Sequence, residues 1–149
     1  MAFGASQPSS SPQLPLQVRW IGKVHDDLSL AMLYSAADVT VVPSRQENLP
    51  QVATEAQACG CPVVAFACTG LPDAVLHQRT GYLARAYDLD DLAHGLRWLL
   101  DDQDRRRSLG TAARERAVRL WCPEVVARQY VEAYRQATAK PTTERLRET

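Results

Sequence analysis

The 149-residue chain balances 17 Lys and Arg against 17 Asp and Glu, which removes the electrostatic case for a nucleic-acid partner. Its 46% apolar content supports one buried core, a single domain's worth of chain. No run of about 18 apolar residues is present to span a membrane, and Met1 is followed by no basic and apolar leader pattern, so the expected location is cytoplasmic.

In chain order, residues 1–5 are short and apolar. Residues 6–15, rich in Ser, Pro and Gln, read as a loop. A strand is predicted over 16–21, closed by Gly22, and a helix over 28–36 that is apolar nearly all round and therefore expected to be heavily buried. Residues 39–42 form a continuous β-branched run that suits a strand buried on both faces. Pro43 ends it, because proline offers no ladder donor. After a polar loop over 44–48, a helix begins at Leu49 or Pro50, with Val52, Ala56 and Cys59 as its packing stripe and Gly60 as its stop. A second buried strand, 63–66, completes a parallel crossover unit. Beyond it come a loop and short helix over 67–73, a strand over 81–84, and a helix capped by Asp88 with Leu89, Leu92, Ala93, Leu96 and Leu99 at helical period. Another helix runs from Asp104 to near Leu120; Cys122-Pro123 breaks the chain, and a last helix to about Ala137 carries a stripe of Val126, Tyr130, Ala133, Tyr134 and Ala137. Alternating strands and helices imply an α/β fold, a Rossmann-like parallel sheet with helices on both faces. Residues 1–138 make up the domain and 139–149 a polar, frayed tail.

The chemistry concentrates between the two buried strands. Glu47 lies in the loop at the carboxyl end of the first, and Glu55 about a turn and a half into the following helix, at the edge of the packing stripe on the side of Gln51. Ligands of open parallel sheets bind outside the carboxyl ends of strands. A helix amino-terminus favours phosphate, and a carboxylate can accept two hydroxyl hydrogen bonds from a sugar diol. The combination suits a phosphate flanked by two sugars. The plainer alternative for each glutamate is a solvated surface acid.

The run Glu47-Asn48-Leu49-Pro50-Gln51-Val52-Ala53-Thr54-Glu55 resembles the E-x7-E motif of the group 1 retaining glycosyltransferases, which have the GT-B fold. The resemblance extends through Ala36-Ala37-Asp38-Val39 and Pro43-Ser44 before the motif, and through Ala58-Cys59-Gly60-Cys61-Pro62-Val63-Val64, Thr69-Gly70-Leu71-Pro72-Asp73 and Thr80-Gly81-Tyr82-Leu83 after it. It implies the carboxyl-terminal, donor-binding domain of such an enzyme, with a nucleoside diphosphate sugar as donor, no cofactor and no required metal. Glu55 would then take the ribose hydroxyls, and Glu47 would contact the transferred sugar and carry the catalytic role. Asn48 and Leu49 would offer backbone amides to the diphosphate. Thr69 and Gly70 would approach the ligand, and Gly22 and Lys23 would lie against the base, although Lys23 reads equally well as solvated. Asn48 replaces the family's usual glycine, and Pro50 removes one donor amide.

The resemblance also implies that the domain's first strand and helix, with an Arg and a Lys for the diphosphate, have no counterpart here. The sheet should then lose its middle neighbour and expose edges, so self-association is one expectation. The acceptor, a sugar or glycolipid as in polysaccharide biosynthesis, would be held by a domain outside this sequence, and the chain alone would be inactive. His25, His77 and His94 have no partner at recognisable spacing, and the four cysteines lack C-x2-C spacing and read as buried thiols. Arg105, Arg106, Arg107, Arg114, Arg116 and Arg119, interleaved with acids, suit a solvated, salt-bridged face; peripheral association with anionic lipid is the lesser reading. Two other readings stay open: a non-catalytic Rossmann-like binding or assembly module, and another GT-B enzyme such as a nucleotide-sugar epimerase.

Overall fold

The computed structural model describes residues 1–4 and 15–139. The elements are β1 (Ala2–Phe3), β2 (Trp20–Gly22), α1 (Asp27–Ser35), β3 (Thr40–Val42), α2 (Gln51–Ala58), β4 (Val63–Phe66), α3 (Leu71–Ala74), β5 (Gly81–Ala84), α4 (Leu89–Leu100), α5 (Gln103–Trp121) and α6 (Pro123–Ala139). The predicted loop over 6–15, apart from Pro15, and the tail beyond Ala139 lie outside the described residues.

Among the described residues every strand pairing is parallel, and the strands fall into two sheets, β1-β2 and β3-β4-β5, flanked by helices. The predicted strand over 16–21 is confined to Trp20–Gly22, because its ladder partner β1 spans only two residues. β4 is the centre of the larger sheet. Its Val63, Val64 and Ala65 are wholly buried, as a β-branched run between two neighbours requires. Fully burying a valine or phenylalanine stabilises by roughly 1.5–3 kcal/mol, so β4 is the main apolar anchor of the fold.

Helix ends follow the local chemistry. Asp26, Asp88 and Asp102 accept from the backbone amides of Ser29, Asp91 and Arg105 and cap α1, α4 and α5. The last cap places the start of α5 just before the expected Asp104. At the end of α2, Gly60 adopts a φ of +76°; its amide donates to Gln57 O and that of Cys61 to Ala56 O, each at 2.9 Å. This paired arrangement closes the helix as its sequence predicts.

Three burial expectations are corrected. α1 is not heavily buried: Tyr34 is its one buried residue, and Leu28 and Met32 are 72% and 64% exposed. The two-stranded sheet beside it is too narrow to cover an all-apolar helix. Val41 is 37% exposed, because β3 is an outer strand whose far edge faces a groove. In α2 the buried face is Ala53, Ala56 and Gln57 rather than Val52, Ala56 and Cys59. Gln57 is drawn inward by its amide, which donates to Ala53 O and to Ala74 O at the end of α3.

The arginines of α5 also differ from the expected solvated face. Arg106 donates to Leu99 O, Arg105 to Trp98 O and Arg114 to Ala58 O, while Arg116 spans Asp73 O and Ala74 O at 2.6 and 2.7 Å. They bind the carbonyl ends of α4, α2 and α3, where a helix carries partial negative charge. Ion pairs accompany them, Arg105 with Asp102 and Arg106 with Asp38.

Candidate functional site

The candidate residues lie at the carboxyl ends of parallel strands. Gly22 ends β2 and Lys23 follows it, the loop ending in Glu47 and Asn48 follows β3, and Thr69 and Gly70 follow β4. Two of these loops are latched to each other. The Gly70 amide donates to Glu47 O at 3.0 Å, and the Glu47 amide donates to Thr69 Oγ1 at 2.9 Å. The packing leaves no room for a side chain at Gly70: a Cβ there would lie 1.4 Å from Asn48 O. Thr69 holds its hydroxyl in place from a left-handed backbone, φ 46°, an uncommon conformation for a β-branched residue. Asn48 is absent from the left-handed residues, so replacing glycine there imposes no backbone strain.

Further contacts pin the same loop. The Tyr87 hydroxyl donates to Arg45 O at 3.2 Å, and the Arg45 guanidinium lies 5.5 Å from the Tyr87 ring centre. The Cys68 thiol makes weak contacts with Ser44 O and Arg45 O at 3.6 Å. Asn48 and Leu49 are exposed and Glu47 is half-buried. Pro50 caps α2 with extended backbone and no side-chain hydrogen bond, so no side chain occupies the capping position where an anion would sit.

Glu55 projects from α2 into solvent, yet one of its oxygens is held. The Tyr34 hydroxyl, from α1, donates to Glu55 Oε2 at 3.1 Å. Burial, with the Glu55 charge adding to it, pushes the Tyr34 hydroxyl above its ordinary range, so it remains a proton donor and leaves Oε1 for a ligand. Sequence reasoning missed Tyr34. Its signal was a tyrosine in a helix otherwise apolar all round, since a buried hydroxyl finds a partner. Cys68 and Tyr87 left no such mark.

Lys23 is exposed and lines a shallow groove of about 580 Å³ with Ile21, His25, Ser29 and Met32. A second groove, of about 440 Å³, lies between β1 and β3. Neither is lined by Glu47, Asn48, Leu49, Glu55, Thr69 or Gly70, so these residues form an open rim. Of the histidines, His77 accepts from the Leu83 amide and packs at a tilt against Tyr82, a structural role, and His25 and His94 are exposed. Cys61 and Cys68 are buried, while Cys59 and Cys122 are only half-buried. Among the described residues no group of His, Cys, Asp and Glu is placed to hold a metal, and no helix is long and apolar enough to cross a membrane.

Parallel strands flanked by helices, with loops gathered at the strands' carboxyl ends, define a Rossmann-like α/β protein of the GT-B glycosyltransferase class. Residues 7–116 match the family described as Glycosyl transferases group 1, and the chain belongs to that family. It is 49% identical over 88 residues to a D-inositol 3-phosphate glycosyltransferase of Corynebacterium aurimucosum, covering 59% of this chain and 21% of that protein. The sucrose-phosphate synthase structure from Thermosynechococcus elongatus superposes with a TM-score of 0.80 at 37% identity, over 92% of this chain and 38% of that one. Anabaena HepE, solved with UDP-glucose, shares the fold at TM-score 0.74 and 23% identity, over 83% of this chain and 33% of that one. The chain thus spans well under half of the length of each.

Proposed function

We propose that this chain is the donor-binding part of a retaining glycosyltransferase that moves a glycosyl group from a nucleoside diphosphate sugar to an acceptor hydroxyl. The observation that carries this reading is the pair of loops latched at the rim, with Glu47 in the loop that leads into α2 and the Tyr34-held Glu55 within that helix. Glu55 Oε1 would accept from the ribose hydroxyls. The first amides of α2, with those of Asn48 and Leu49, would face the diphosphate, where they stabilise the charge that develops as the leaving group departs. Glu47 is assigned to the transferred sugar, as the catalytic group. Thr69 and Gly70 fix the loop that carries it, and Gly22 and Lys23 border the base. In the reaction the bond from the anomeric carbon to the β-phosphate oxygen breaks, its electron pair leaving with the nucleoside diphosphate; a bond to the acceptor oxygen forms, and the acceptor proton passes to the departing diphosphate. The fold likeness to a protein solved with UDP-glucose supports a nucleotide-sugar donor.

The acceptor, a sugar or glycolipid, would be held by surface outside the described residues, so the chain alone is expected to show no turnover. A membrane-surface role for α5 is set aside, because Arg105, Arg106, Arg114 and Arg116 are committed to carbonyl groups. Calorimetric titration with UDP and UDP-glucose tests the reading. Glu55→Ala should weaken binding by about 1.5–3 kcal/mol, the range for hydrogen bonds to a charged group. No heat from the wild-type chain at millimolar nucleotide, or an unchanged affinity in the variant, would reject it.

A further inference from the structure

One contact to the Glu47 loop is made at a backbone cost. The Asp88 amide donates to Arg85 O at 3.1 Å and closes a four-residue turn between β5 and α4, with Tyr87 as its third residue. Tyr87 has a φ of +65°. Glycine or asparagine normally fills a positive φ at that place in a turn, and a bulky side chain is strained there. Asp88 fixes the turn from its other end, since it caps α4 and pairs with Arg85 at 2.9 Å. Glycine would make the same turn without strain, so a tyrosine here is accounted for by what its side chain reaches.

The ring lies against Phe66, the last residue of β4, with centres 6.1 Å apart. From there the hydroxyl crosses to the loop after β3 and donates to Arg45 O at 3.2 Å, and the Arg45 guanidinium sits 5.5 Å from the ring centre, within reach of a cation–π contact. Among the described residues Arg45 makes no ion pair, which leaves its guanidinium to the ring. Two residues further on, Glu47 is held from the loop after β4 by Thr69 and Gly70. The segment from Arg45 to Glu47 is thus fixed at its start from β5 and at its end from β4. Releasing the first anchor lets the peptide planes between them turn, and the Glu47 side chain turns with them. We propose that Tyr87 is a positioning residue, which aims the Glu47 carboxylate at the transferred sugar by tying Arg45 to the turn before α4. This rests on the donor reading and adds to it a residue that touches no ligand. Asn48 and Leu49 lie beyond the Glu47 latch, and Glu55 is braced separately by Tyr34, so the effect falls on the sugar and spares the nucleotide.

The test is calorimetric titration of the full chain with UDP and with UDP-glucose, across a double-mutant cycle of Tyr87→Phe and Glu47→Gln. Tyr87→Phe keeps the ring between Phe66 and Arg45 and removes only the hydroxyl donor. It should weaken UDP-glucose about three- to tenfold, the scale set by one neutral hydrogen bond, while UDP changes less than about twofold. Glu47→Gln should itself weaken UDP-glucose, and in that background Tyr87→Phe should cost no further affinity, because the group it aims has gone. Unchanged UDP-glucose affinity in Tyr87→Phe overturns the proposal. So does an equal loss of UDP, which means that the rim as a whole has shifted, or an undiminished loss in the Glu47→Gln background, which means that the hydroxyl meets the sugar itself. A wild-type chain that takes up neither nucleotide, or a Glu47→Gln chain that binds UDP-glucose as the wild type does, instead rejects the donor reading, and this proposal falls with it.

Discussion

Gly70→Ala is the sharpest perturbation of the rim. Gly70 has an ordinary φ of −82°, so its substitution is penalised by contact and not by backbone conformation. The new Cβ would lie 1.4 Å from Asn48 O, 2.5 Å from Asn48 C and 3.1 Å from Glu47 O. Carbon and carbonyl oxygen tolerate an approach of about 3.3 Å, so one loop must retreat by about 2 Å. All three offending atoms are backbone, and no rotamer change relieves them. The retreat breaks the Gly70 bond to Glu47 O and the Glu47 bond to Thr69 Oγ1, a loss of about 1–3 kcal/mol for two neutral hydrogen bonds. Residual crowding adds about 1–3 kcal/mol. The total, roughly 2–6 kcal/mol, is a large share of the 5–15 kcal/mol expected of a whole domain. Urea unfolding followed by circular dichroism measures it, and titration with UDP reports the displacement of Glu47 and Asn48. Gly22→Ala is the control: its φ is +78° with nothing within 4 Å of the added carbon, so it should cost only the left-handed penalty of about 1–2 kcal/mol. A Gly70→Ala protein within about 0.5 kcal/mol of wild type, a shift typical of neutral surface changes, would show that the two loops are not latched.

Substitutions at three other positions separate the remaining contacts. Tyr34→Phe keeps the ring against Phe3, 5.6 Å away, but removes the donor to Glu55; calorimetry should show UDP bound roughly fivefold more weakly, about 1 kcal/mol. Because the Tyr34 hydroxyl is raised above its ordinary value of 10.0 in the folded chain, its contribution is complete below that pH and lost above it, and the Phe variant should lack this alkaline loss. Asp91 accepts from the Arg85 amide, from the Tyr82 hydroxyl and from the Arg85 side chain, bonds that hold its carboxyl below the ordinary value of 3.8. Its contribution is therefore complete above that pH and lost as pH falls through the lower folded value; Asp91→Asn should be less stable at neutral pH and show a shallower acid slope in thermal melts. Arg116→Ala should lower stability by about 2–3 kcal/mol in urea titration, since two carbonyls lose a charged donor, and Arg116→Lys should restore less than half, because a point charge cannot span both.

Fold and rim were unequally legible. The β4 run and the Schellman close at Gly60 follow from local chemistry alone, and the sequence placed both correctly. The caps of α1 and α4 are equally local. Burial of α1, β3 and the inner face of α2 was misjudged because burial depends on neighbours. The apolar pattern of α1 is real, but nothing among the described residues covers Leu28 or Met32. The arginines of α5 looked like a charged surface because a carbonyl at the end of another helix leaves no sign in their own sequence. At the rim, E-x7-E spacing marks the two glutamates, whereas the latch through Glu47 and Gly70 and the brace through Tyr34 and Glu55 join residues 23 and 21 positions apart. Side chains meeting across such separations are products of the crossover topology.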